Sequence, residues 1–245
     1  KCAKLFFMKF IVKFLKFNIY KRFILSKVLF LIFFVTVSSL YGTYLKDANK
    51  ALLENRIDDA IKLYELSARE GSDEANFQLG KIYYLKRYHK NDLLKAYEYF
   101  KKASDYEHLK AKYNLAVILS QEKFEKHSYK SSYELLYSLA EQNHAKAQYK
   151  VGIYLLYGIG VDKDYPMAKA WLEQAYFKNN YKRAACGIAS IYANGFGVIQ
   201  NLGRARQLSQ DKIKKYPLCK KVFNEFKLYK DKYNEDKGFK YGLYK

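Results

Sequence analysis

Past residue 58, apolar and polar positions follow the period of an amphipathic helix, and the pattern then recurs every 36 or 37 residues. Stepping from Ala60 at that interval reaches Ala96, Ser132, Ala168 and Ala205. Three residues after each stands a bulky apolar side chain: Leu63, Tyr99, Leu135, Trp171 and Leu208. Seven or eight residues after the first four anchors come Ala68, Ala103, Ala140 and Ala175. Alanine returns 15 residues after the anchor as Ala75, Ala111 and Ala147, and 16 after it in the fourth copy as Ala184. Four residues further on stand Leu79, Leu115, Val151 and Ile188, each followed by Gly or Ala.

This pattern predicts helical hairpins with short polar turns such as "REGSDE" and "EQNHAK". Small side chains at fixed slots let helix axes approach, and bulky ones fill the grooves between units. One hairpin cannot bury its apolar face alone, so the units must stack. The expected fold is all-α: a superhelical solenoid of about four hairpins near 58–94, 95–130, 131–166 and 167–204, within 46–211. Beyond it, Leu218, Val222, Phe223, Phe226 and Tyr229 at helical spacing predict a capping helix over 212–232, with a loose basic tail at 233–245.

The third copy, "SYELLYSLAEQNHAKAQYKVGIYLLYGIGV", and the fourth, "AKAWLEQAYFKNNYKRAACGIASIYANGFGV", resemble the Sel-one-like repeat, a relative of the tetratricopeptide repeat. The first two copies keep the helical slots but lack the glycine loop. The resemblance covers about 58–211 and implies an α/α superhelix that acts as a protein-interaction scaffold.

The repeated glycines, Gly158-x-Gly160 and Gly195-x-Gly197, invite a phosphate-cradle reading. A dinucleotide fingerprint needs a preceding strand, a third glycine and a following helix in a βαβ unit. This stretch has none of these, and the glycines fit the left-handed end of a repeat's second helix.

Charge alters the picture mainly at the ends. Of the net +21, residues 1–27 contribute +8, residues 46–211 contribute +6 and residues 212–245 contribute +7. Between Lys27 and Lys46 lie 18 uncharged residues, "VLFLIFFVTVSSLYGTYL". This 28–45 segment is expected to be either a signal-peptide core or a single transmembrane anchor. The basic flank 1–27 keeps that side in the cytosol, so the solenoid is expected beyond the membrane. Lys, Tyr, Asn and Ile are abundant, which suggests an AT-rich, bacterial genome. The expected location is therefore the inner membrane with a periplasmic solenoid, or the periplasm or exterior after cleavage. Cys186 and Cys219 could form one bridge, but no repeated pairing marks them, which leans toward two buried thiols.

Chemistry is sparse. His89, His108, His127 and His144 lack metal spacing, and no nucleophile elbow or paired-cysteine motif is present. No metal, cofactor or catalytic residue is expected, and a protein is the expected partner. A partner-binding wall would be built by the first helix of each hairpin, at slots two, five and nine after each anchor. These are Lys62, Glu65 and Arg69; Glu98, Lys101 and Asp105; Glu134, Tyr137 and Glu141; and Ala170, Glu173 and Phe177. Six acids against three bases there argue against nucleic acid. The competing readings are an accessory factor of an envelope or cell-wall-modifying enzyme, and a secreted host-interaction factor.

Overall fold

The computed structural model describes residues 43–85, 88 and 92–228, which form helices and turns without a strand. The helices are α1 (residues 43–53), α2 (Ile57–Arg69), α3 (Asp73–Tyr84), α4 (Leu93–Asp105), α5 (Leu109–Leu119) and α6 (Tyr129–Glu141). They continue with α7 (Ala145–Tyr157), α8 (Tyr165–Glu173), α9 (Ala184–Asn194), α10 (Leu202–Ser209) and α11 (Pro217–Glu225). The basic stretch 1–27, the apolar segment 28–45 save its last three residues, and the tail 233–245 lie outside the described residues. Residues 43–45 belong to α1, and no helix among the described residues is long and apolar enough to cross a membrane.

The chain divides inside α3, between Leu79 and Gly80, into two units. In the first, Ala48 and Ala51 of α1 are buried, as are Ala60, Ile61 and Tyr64 of α2. The Tyr64 hydroxyl donates to Asn49 Oδ1 at 2.6 Å, which ties α2 to α1.

In the second unit, each helix from α4 to α10 packs on the next, and α11 lies against α9 and α10. The anchors Ala96, Ser132, Ala168 and Ala205 are fully buried, as the repeat pattern requires. Serine stands in for alanine at one anchor without a penalty: Ser132 Oγ donates to the Ala116 carbonyl at 2.7 Å and lies 3.1 Å from the Tyr154 hydroxyl. The small slot at the end of the pattern is where the next hairpin's first helix presses in. A Cβ on Gly80 would stand 2.5 Å from the Phe100 ring, and one on Gly152 would stand 2.6 Å from Leu172 Cγ.

The caps repeat with the helices. Asp92, Ser128, Asp164 and Asn201 each stand four residues before an anchor, and each side chain accepts the N–H three residues ahead. Two of the second helices, α5 and α7, are capped less conventionally: Nδ1 of His108 accepts from Ala111 N–H, and Nδ1 of His144 from Ala147 N–H. The fourth repeat's extra residue has a structural counterpart. Residues Gln174–Lys178 form a π turn after α8, in which Asn179 N–H donates to the Gln174 carbonyl five residues back.

Two expectations need correction. Residues 212–232 are not one helix: Gln210–Lys212 is a 3₁₀ turn, residues 213–215 form a further turn, and α11 begins at Pro217. Proline fixes the first helical position there, and Lys227, with φ 51°, turns the chain out just after α11 ends. The cysteines are not two thiols, because Cys186 of α9 and Cys219 of α11 are bridged, with Cα atoms 4.7 Å apart. Both are fully buried, so the pairing that spacing could not signal arises where α11 folds back onto α9.

Candidate partner-binding site

The slots expected to face a partner fall in different units. Lys62, Glu65 and Arg69 are on α2 in the first unit, where Lys62 and Arg69 are exposed and Glu65 is half-buried. In the second unit Glu98, Lys101 and Asp105 are exposed on α4, and Glu98 pairs with Lys126 at 3.2 Å. Glu134 and Glu141 are exposed on α6, whereas Tyr137 is half-buried against Tyr133 and edge-on to Trp171 of α8, 5.7 Å between ring centres. Tyr137 therefore helps join two repeats. Glu173 is half-buried at the end of α8 and pairs with Lys169 at 2.9 Å.

None of these residues lines a cleft found in the second unit. This cleft, of about 550 Å³, is bounded by Ser120, Tyr129, Tyr149, Lys150, Ile153, Tyr154, residues Gly158–Gly160 and Arg183. It belongs mainly to the second helices: Ser120 ends α5, four lining residues come from α7 and Arg183 precedes α9, while Tyr129 begins α6. Gly160 shapes one edge, because a Cβ there would lie 2.5 Å from the Tyr129 carbonyl carbon. Tyr154 is held beneath the floor by Ser132 and faces Tyr129 edge-on at 6.4 Å.

The lining carries two cations and no carboxylate. The Arg183 guanidinium lies 5.3 Å from the centre of the Tyr149 ring, and Tyr149 packs on Tyr181 at 5.5 Å. Burial holds the Lys150 ammonium below its ordinary pKa, and the charge of Arg183 adds to the effect. Burial raises Tyr149, partly offset by Arg183, and pushes the neighbouring Tyr113 up to about 12. Among the described residues neither Lys150 nor Arg183 forms an ion pair, and no group of three His, Cys, Asp or Glu side chains could hold a metal. The expectation of a wall on first helices passed over this cleft. Its signal was a lone lysine in the apolar run "AQYKVGIYLLY".

Stacked helical hairpins with buried small anchors and periodic caps define an α/α repeat protein. The chain belongs to the Sel1 repeat family, which matches over residues 54–72, 73–105, 109–144, 145–176 and 182–210. Proteins of this repeat generally act as protein-interaction scaffolds and are typically non-catalytic. Among solved structures, c5321, a protective antigen of uropathogenic Escherichia coli strains with an SLR fold, is similar at 20% identity and a TM-score of 0.64. The match covers 79% of this chain but only 43% of that one. A Sel1 repeat protein from Oxalobacter formigenes is similar at 22% identity and a TM-score of 0.59, over 73% of this chain and 69% of that one. Both likenesses bear on the fold alone. Among curated proteins no relative matches.

Proposed function

We propose that this protein is a non-enzymatic scaffold of the bacterial cell envelope, exported past a signal or anchor at 28–45 and binding a protein partner through its repeats. The observation that carries the reading is the repetition itself: the same three slots recur on four first helices, with charged side chains at all three on α2 and α4, at two on α6 and at one on α8, while the bulky slots are spent on packing. In the second unit the exposed members at these slots are Glu98, Lys101, Asp105, Glu134, Glu141, Ala170 and Phe177, a mixed to acidic set with an apolar end, suited to a basic protein surface and unsuited to nucleic acid. The bridged Cys186 and Cys219 support export, because such bonds persist in oxidising compartments and are rare in the cytosol of mesophiles.

Proximity labelling from the full chain in the native cell, compared with a variant carrying E98K, E134K and E141K, tests the partner reading. A discrete set of envelope proteins that the variant no longer labels is the expected result, and identical labelling by both would end it. Alkylation before and after reduction of the protein taken from cells tests export. With the protein denatured so that both buried positions are accessible, Cys186 and Cys219 should react only after reduction, and their reaction in the unreduced sample would place the solenoid in a reducing compartment.

A further inference from the structure

The cleft beside α7 lies apart from the first-helix slots. We infer that it takes the C-terminal residue of a partner peptide, the terminal carboxylate meeting Lys150 and Arg183 and an apolar last side chain lying against Tyr149, Ile153 and Tyr154. This deepens the scaffold reading and rests on it, since it names where and by what chemistry a protein partner is gripped.

The volume, about 550 Å³, suits one or two residues and not a folded surface. Two positive groups converge on the cleft with no carboxylate in the lining. Among the described residues, the carboxylate bound to a lining side chain is that of Glu122, which accepts from the Tyr129 hydroxyl at 2.8 Å. Lys150 is half-buried, and burial and then the charge of Arg183 lower its proton affinity, so the two cations repel one another across the cleft. An anion shared between them relieves that repulsion and gains charge-assisted hydrogen bonds in a partly dehydrated setting.

The walls narrow the class of anion. Cation and apolar surface adjoin: Lys150 is next in sequence to Tyr149, and Ile153 and Tyr154 lie one turn on. The occupant must therefore bring a charge and an apolar body together. In an extended peptide, an acidic side chain and the apolar side chain beside it point to opposite faces. A chain terminus offers carboxylate and side chain from one Cα. The tyrosine faces and Ile153 take the apolar part, and the Gly158–Gly160 loop closes one end.

The test uses N-acetyl-Gly-Leu-Phe with a free carboxylate, the same peptide as its C-terminal amide, and an amidated peptide with an internal Glu-Phe pair. Binding to the full chain is followed by calorimetry and by amide shifts at Lys150, Ile153 and Arg183. The free acid should bind, shift those amides, and lose at least about 10-fold in affinity as the amide, the scale of one charge-assisted bond. R183Q, which alters an exposed side chain, and K150Q should each erase the difference between acid and amide while Tm is retained. Absence of acid binding up to millimolar peptide, or equal binding of acid and amide, would overturn the site. Equal binding of the internal Glu-Phe peptide would overturn the terminus. Failure of the labelling experiment with success here would leave the cleft standing and remove only the first-helix surface.

Discussion

The loop from α5 to α6 and the loop from α7 to α8 close the same bond by different means. In the first, Ser128 N–H donates to the Leu119 carbonyl at 2.9 Å; in the second, Asp164 N–H donates to the Leu155 carbonyl at 3.1 Å. The partners stand nine residues apart in both, and the pairs Asp92–Tyr83 and Asn201–Tyr192 repeat that spacing, each at 2.9 Å. Yet α7 runs two residues past its shared carbonyl to Tyr157, whereas α5 stops at Leu119 itself. Gly158, at φ 72°, reverses the chain in the tighter space that remains, and Gly195 does the same after α9. The α5–α6 loop has no positive φ from Ser120 to Ser128, and instead drives Phe124 into the protein, where 3% of it is exposed, against Tyr97 at 5.3 Å. The packing of successive hairpins fixes where a loop begins and ends. Within those limits either a left-handed glycine or an inserted aromatic ring will do.

Removing the ring should break the first loop most. Phe124→Ala leaves a cavity beneath a loop with no glycine reversal to hold it, and the cost expected for a buried phenylalanine is about 3–5 kcal/mol. Thermal unfolding of the full chain measures it, and a loss below about 1 kcal/mol would show that the loop does not depend on the ring. In the second loop the matching break is Gly160→Ala. The new methyl meets the Tyr129 backbone at 2.5 Å in a left-handed conformation, so strain of about 1–2 kcal/mol and overpacking of about 1–3 kcal/mol combine. Gly197→Ala sharpens the contrast. Its methyl would sit at 3.1 Å from Tyr165 Cβ, a contact that a small shift relieves, so it should cost mainly the backbone strain.

The cap is what the two loops share, and its removal should not tell them apart. Ser128→Ala and Asp164→Ala each delete an acceptor for one N–H of the next helix, and each should cost about 1 kcal/mol. Chemical denaturation with unchanged m-values would confirm equal penalties. A clearly unequal pair would mean that the loops position their caps with different firmness.

How far this was legible depended on whether a feature repeats. Ala60, Ala96, Ser132, Ala168 and Ala205 were found from spacing alone, and all are fully buried. The left-handed ends at Gly158 and Gly195 were legible for the same reason, since two copies of one motif identify each other. What occurs once was not. The π turn at Gln174–Lys178 showed only as one surplus residue, and the Cys186–Cys219 bridge only as a possibility that no repeated pairing favoured. Pro217 carried the sign that 212–232 could not be one helix, but an apolar stripe at helical spacing outweighed it. The cleft was missed because Lys150 and Arg183 converge only through the stacking of α7 and α9, a relation that periodicity within one helix does not express.

The second helices offer the finest test, because one of their caps titrates. His144 Nδ1 accepts the Ala147 N–H at 3.2 Å, which the protonated ring cannot do. Burial lowers its pKa from the ordinary 6.5, and the nearby Lys146 charge lowers it further. The unfolded chain then binds the proton more readily than the folded one, so the cap's stability is complete above pH 6.5 and is lost as pH falls through the lowered folded value. The cap bond itself is worth about 1 kcal/mol. Asparagine keeps an acceptor at this position without titrating. Unfolding free energies of the wild type and His144→Asn, measured from pH 7.5 downward, should therefore diverge on the acid side, the wild type falling faster. Parallel curves would mean that the ring holds α7 by its 5.1 Å stacking on Tyr113 and not by its nitrogen.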